Sequence, residues 1–128
     1  MKIDEGKHKL DDIIIRQGSS PTTVRLFTDF LNAVDIALEK DNKNHSFRTH
    51  QKGVTGMSRP RKAFIYVDLY QDHVSIRCFT NGGGILGLKK GFWNCKNDNK
   101  GSELFRITDE ATIEKAVGFA LDAWALAI

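Results

Sequence analysis

Long apolar runs are missing from this chain, and none approaches the roughly 20 apolar residues of a membrane-spanning helix. Cysteine is scarce as well. Cys78 and Cys95 stand 17 positions apart with no Cys-x-x-Cys spacing, which argues against a disulfide scaffold or a zinc ribbon. The N-terminal residues Met1 to His8 alternate basic and acidic side chains around no apolar core, so no secretory signal is read there and a cytoplasmic location is expected. Acidic residues are absent from one long block. Between Asn42 and Lys62 there are six cations, Lys43, Arg48, Lys52, Arg59, Arg61 and Lys62, together with His45 and His50, and no Asp or Glu. Residues 1–41 hold six Lys or Arg against eight acids and residues 63–128 hold seven against eight, so this block supplies the whole net charge of +3.

The chain of 128 residues is 41% hydrophobic and 27% charged, values of a globular domain. Such a length buries roughly two-thirds of the unfolded surface without a metal or disulfide staple. Its clearest local pattern runs from Phe64 to Phe79. With Gln71 and Asp72 as a two-residue turn, Tyr70 lies opposite His73 and Phe64 opposite Phe79. Ile65, Val67, Leu69, Val74, Ile76 and Cys78 then share one apolar face, which a one-residue slip would turn entirely to water. Cys78 on that face reads as a small buried hydrophobe. The other face carries Phe64, Tyr66, Asp68, Tyr70, His73, Ser75, Arg77 and Phe79, too aromatic for a plain solvated surface and too polar for a second core.

Around this hairpin the order of elements can be read. Ser20 and Pro21 make a helix start, and Val24, Phe27, Leu31, Val34 and Leu38 give a helix to about Glu39 one apolar stripe. The basic block, with Gly53, Gly56 and Pro60, reads as a loop with room for a short strand. After the hairpin come a glycine turn at Asn81 to Gly84, a short strand at Ile85 to Leu88, a loop with Phe92 and Trp93, and a strand at Glu103 to Ile107. Thr108 caps a closing helix whose buried face is Ile113, Val117, Ala120, Leu121 and Trp124. The expected fold is an α+β two-layer sandwich, a small mainly antiparallel sheet of about four strands packed by two main helices. Residues 1–20 are expected as an N-terminal extension and residues 21–128 as a single domain.

The glycine run fails as a phosphate-binding loop, because Leu88 and Lys90 stand where Lys and Ser or Thr belong. His45, His50 and His73 show no ligand spacing, so no metal centre and no cofactor are expected. No histidine has a motif-fixed partner, and Asp68 is the best carboxylate for catalysis, with a surface ion pair as the plainer account. Nucleic-acid binding is the sharper expectation. Lys52, Arg59, Arg61 and Lys62 would hold phosphates, while Tyr66, Tyr70 and Arg77 would offer stacking or hydrogen bonds to DNA or RNA bases. The alternatives are a homodimer formed through the aromatic face and, third, a small enzyme using Asp68 or His73 there. The plainest alternative is that the same fold covers this face.

From about Pro21 onward the chain resembles a small uncharacterised bacterial domain, often labelled a predicted transport protein and commonly fused to restriction-endonuclease-like modules. The residues that carry the likeness are Thr22 to Phe27, the Lys- and Arg-rich block, Ala63 to Val67 followed by Val74 to Arg77, Gly91 to Trp93, Phe105 to Ile107, and a closing helix ending near Trp124. The stretch Gly82 to Gly84 departs from that pattern. The resemblance implies an accessory binding module in a DNA-related setting and supplies no catalytic residue.

Overall fold

The computed structural model describes residues 1–80, 89–90 and 102–127, and only the backbone of the pair 89–90. Strand β1 is Ile3–Asp4, followed by helices α1, Leu10–Gln17, and α2, Pro21–Lys40. Strands β2, Ser46–His50, β3, Gly53–Arg59, β4, Lys62–Leu69, and β5, Val74–Phe79, come next. Strands β6, Lys89–Lys90, and β7, Ser102–Ile107, precede a single helical turn at Glu110–Thr112 and helix α3, Ile113–Leu126. The seven strands form one sheet in the order β1-β2-β3-β4-β5-β7-β6, with β1 parallel to β2 and every other pair antiparallel. The α+β class agrees with expectation. Seven strands replace the expected four or so, chiefly because the basic block is a full β2–β3 hairpin rather than a loop with room for one short strand.

The glycines explain that misreading. Gly53 and Gly56 resemble loop punctuation, yet both sit in β3 where neighbouring groups approach too closely for a side chain. The β4–β5 register is the expected one: Leu69 pairs with Val74, Val67 with Ile76, and Ile65 with Cys78. The Tyr70 amide donates to the His73 carbonyl at 3.0 Å, closing the two-residue turn. All six residues of the apolar face are buried in one core cluster with Leu26, Phe27, Phe30, Leu31, Val34 and Leu38 of α2.

Phe64 leaves the polar face and joins that core. The β3–β4 register shifts between Gly56↔Ile65 and Met57↔Ala63, so Phe64 has no opposite partner and strict alternation fails there. α2 begins as expected, with the Ser20 hydroxyl accepting from the Thr23 amide and Pro21 in the first turn. At the last helix the cap is Asp109, not Thr108: its carboxylate accepts from the Thr112 amide. The buried stripe of α3 is Ala116, Ala120, Ala123 and Trp124, while Ile113, Val117 and Leu121 are half-buried beside it. Alanines let the helix axis approach the sheet, and the larger side chains flank the contact. Residues 1–20 lie against the same sheet, for β1 pairs with β2 and Ile13 is fully buried. The expected glycine turn at Asn81 to Gly84, the strand at Ile85 to Leu88 and the loop with Phe92, Trp93 and Cys95 lie outside the described residues.

Candidate functional site

The polar face of the sheet is built in cross-strand rows. One row runs Arg48, Thr55, Tyr66, Arg77 and Leu104 across β2, β3, β4, β5 and β7, and the next runs His50, Gly53, Asp68, Ser75 and Arg106. Because residues paired across a ladder project to the same side, these rows form one surface opposite the apolar face. Within the second row Gly53 separates His50 from Asp68. Its lack of a side chain lets the His50 ring cross β3, and His50 Nε2 lies 2.6 Å from Asp68 Oδ1. The other ring nitrogen, Nδ1, is 2.8 Å from the Thr55 hydroxyl.

Aromatic rings extend this network. Tyr66 lies 5.0 Å from the His50 ring and takes Phe79 edge-on at 4.8 Å. Tyr70 stacks on His73 at 4.6 Å with the planes 6° apart, and Lys52 Nζ is 5.9 Å from the Tyr70 ring centre. The turn below Tyr70 is anchored to the α1–α2 junction. Ser19 Oγ donates to the Tyr70 carbonyl at 2.7 Å, and the Ser20 amide to the Gln71 carbonyl at 3.0 Å. Between these groups lies a cavity of about 390 Å³ lined by His50, Gln51, Lys52, Tyr66, Asp68, Tyr70 and Arg77.

Four of the seven residues expected to touch nucleic acid therefore share one cavity: Lys52, Tyr66, Tyr70 and Arg77. Arg59, Arg61 and Lys62 do not join them. They sit at the β3–β4 turn, about 20 Å from Lys52 along a seven-residue strand. There Arg59 and Arg61 line a separate cavity of about 560 Å³ with Arg48 and His45. Arg61 has φ 66°, a left-handed conformation that the tight turn imposes on it.

Chemically, the Thr55, His50 and Asp68 chain has the residue types of a nucleophile relay but not the access. Thr55 is 4% exposed and Asp68 8%, and both ring nitrogens of His50 are engaged. The chain braces the face. His73, the other histidine considered for catalysis, lies 2.8 Å from the Asp72 carboxylate on the turn, and that hydrogen bond holds the Asp72 carboxyl below its usual value. Cys78 is held as a thiol: burial, with Glu103 and Asp122 adding to it, pushes its pKa up to about 12.

Sequence reasoning missed His50 as the partner of Asp68, because the pairing needs β2, a strand not foreseen. It also missed a second cluster at the far end of α2, where Asp35, Glu39 and His45 present ligand atoms within 4.8 Å of one another. The carboxylates at i and i+4 on one helix were legible, but the return of His45 to them was not. No family model, curated protein or solved structure matches the chain.

Proposed function

We propose that the protein is a non-enzymatic binding module that holds single-stranded nucleic acid across the polar face of its sheet. One observation carries the reading: two tyrosines, a lysine and an arginine line a single cavity of about 390 Å³ on that face. Bases enter between Tyr66 and Tyr70, and the backbone phosphates meet Arg48, Lys52, Arg77 and Arg106. The Asp68 carboxylate faces His50 at 2.6 Å rather than the incoming phosphates, which limits repulsion. The resemblance to a domain fused to DNA-acting modules points the same way.

Fluorescence anisotropy with labelled oligothymidine across a salt series tests this. Four phosphate contacts on a single strand give a slope of log K against log salt of about −2.8. Tyr66→Ala should weaken binding at least about fivefold, the lower range for loss of one stacked base. Absence of binding at low salt, or unchanged affinity in Tyr66→Ala, would sink the reading. A monomer–dimer equilibrium abolished by Tyr66→Glu would instead favour the face as a subunit contact.

A further inference from the structure

We infer that Asp35, Glu39 and His45 form a binding site for a divalent transition-metal ion, with zinc the best match. The site is separate from the polar sheet face, and nothing in the nucleic-acid reading enters its argument. It is assembled by the end of α2. The Lys43 amide donates to the Leu38 carbonyl at 2.9 Å and the Asn42 amide to the Glu39 carbonyl at 3.0 Å, while Asn42 adopts φ 53°. This left-handed closure reverses the chain, so that His45 folds back on a carboxylate ten residues earlier. The following residues are fixed from the other side: Trp124 Nε1 donates to the Asn44 carbonyl at 2.8 Å, and the Lys43 ammonium lies 5.1 Å from the Trp124 ring centre.

The His45 side chain is 4% exposed, and each of its ring nitrogens faces an acceptor. Nδ1 is 2.8 Å from the Lys43 carbonyl and Nε2 is 2.7 Å from Asp35 Oδ1. A backbone carbonyl on Nδ1 fixes that nitrogen as the N–H donor, the arrangement usual behind a metal-bound imidazole. Nε2 lies at hydrogen-bond distance from the carboxylate, and a cation ligated by both groups takes the place of that hydrogen bond. Glu39, one turn along α2, supplies the third ligand and is exposed enough to swing inward. To suit tetrahedral metal–ligand bonds near 2.0–2.2 Å, atoms as far as 4.8 Å apart draw in by about 1.4 Å, while the Asp35–His45 pair opens by about 0.7 Å from its 2.7 Å. The C-terminal end of α2 adds the negative end of the helix dipole. A nitrogen ligand with two carboxylates suits zinc or manganese better than magnesium, which favours oxygen ligands and water. A cavity of about 290 Å³, lined also by Lys2, Asp4, Ser46 and Phe47, opens beside the three groups and leaves room for a water as fourth ligand.

Isothermal titration of the chelator-treated full chain with zinc chloride, manganese chloride and magnesium chloride tests the assignment. One-to-one zinc binding is expected, weakened tenfold or more by Glu39→Gln and by Asp35→Asn, with magnesium far weaker. Cobalt binding should give a visible absorption that Glu39→Gln reduces and His73→Ala, at the β4–β5 turn, leaves intact. Glu39→Gln alters an exposed side chain, so this comparison holds even if changes at the buried His45 prevent folding. No saturable zinc binding, or zinc binding unaltered by Glu39→Gln, would overturn the site, as would loss of the cobalt signal in His73→Ala alone.

Discussion

Replacing Gly53 by alanine should cost far more than one methyl group suggests. A Cβ at that position would fall well inside the contact limit of the Val67 carbonyl oxygen, 3.0 Å from the Val67 carbonyl carbon and 3.2 Å from the Asp68 Cα. All three atoms are backbone, so relief requires β3 and β4 to part. Parting them strains the adjacent bond from the Leu69 amide to the Lys52 carbonyl, 2.9 Å long, and lifts Asp68 away from His50. Loss of one backbone bond costs about 1 kcal/mol, and leaving the amide of the buried Leu69 unpaired adds about 1–3 kcal/mol. The stiffer unfolded chain returns about 0.5–1 kcal/mol, so the net destabilisation should be about 1–3.5 kcal/mol. Gly118→Ala is the matched control. Nothing lies within 4 Å of its added Cβ, and the residue is in α3, so this change should stabilise by about 0.5–1 kcal/mol. Urea unfolding of both variants gives the comparison; a Gly53→Ala protein as stable as the parent would refute the close-approach argument.

Two further outcomes follow from the same face and core. A double-mutant cycle of His50→Ala and Asp68→Ala should yield a coupling energy of about 1.5 kcal/mol, the low end for a charge-assisted bond because the side chains are 25% and 12% exposed; additive losses would show that the contact does not brace the face. In a Cys95→Ser background, stability should fall as pH rises above 9, by up to about 1.4 kcal/mol per pH unit, because the folded Cys78 thiol keeps its proton to about 12 while the unfolded thiol releases it from about 9.0. Below pH 9 this contribution is fully present. An identical alkaline profile for Cys78→Ala, measured by urea midpoint, would contradict it.

Legibility followed the range of the interactions involved. The β4–β5 hairpin was readable from Ile65 to Cys78 because its apolar face and its two-residue turn specify the same register. The start of α2 was equally local, fixed by Ser20 and Pro21. The β2–β3 hairpin was not. Gly53 and Gly56 serve there as points of close approach, and only the strands that crowd them reveal that. Phe64 was misplaced because a register shift in β3 breaks the alternation that assigned it.

What the sequence alone determined is therefore the apolar surface of the sheet, the helix that covers it and the acid-free block that carries the net positive charge. Tertiary structure decided how that charge is distributed. It divided the cations between the tyrosine cavity and the β3–β4 turn, set His50 across Gly53 onto Asp68, and returned His45 to Asp35 and Glu39. Periodicity records which side of an element is buried, since burial acts on every second or every third to fourth residue. The meeting of side chains from separate elements leaves no such period, because it depends on register, on a missing Cβ and on the reversal at a helix end.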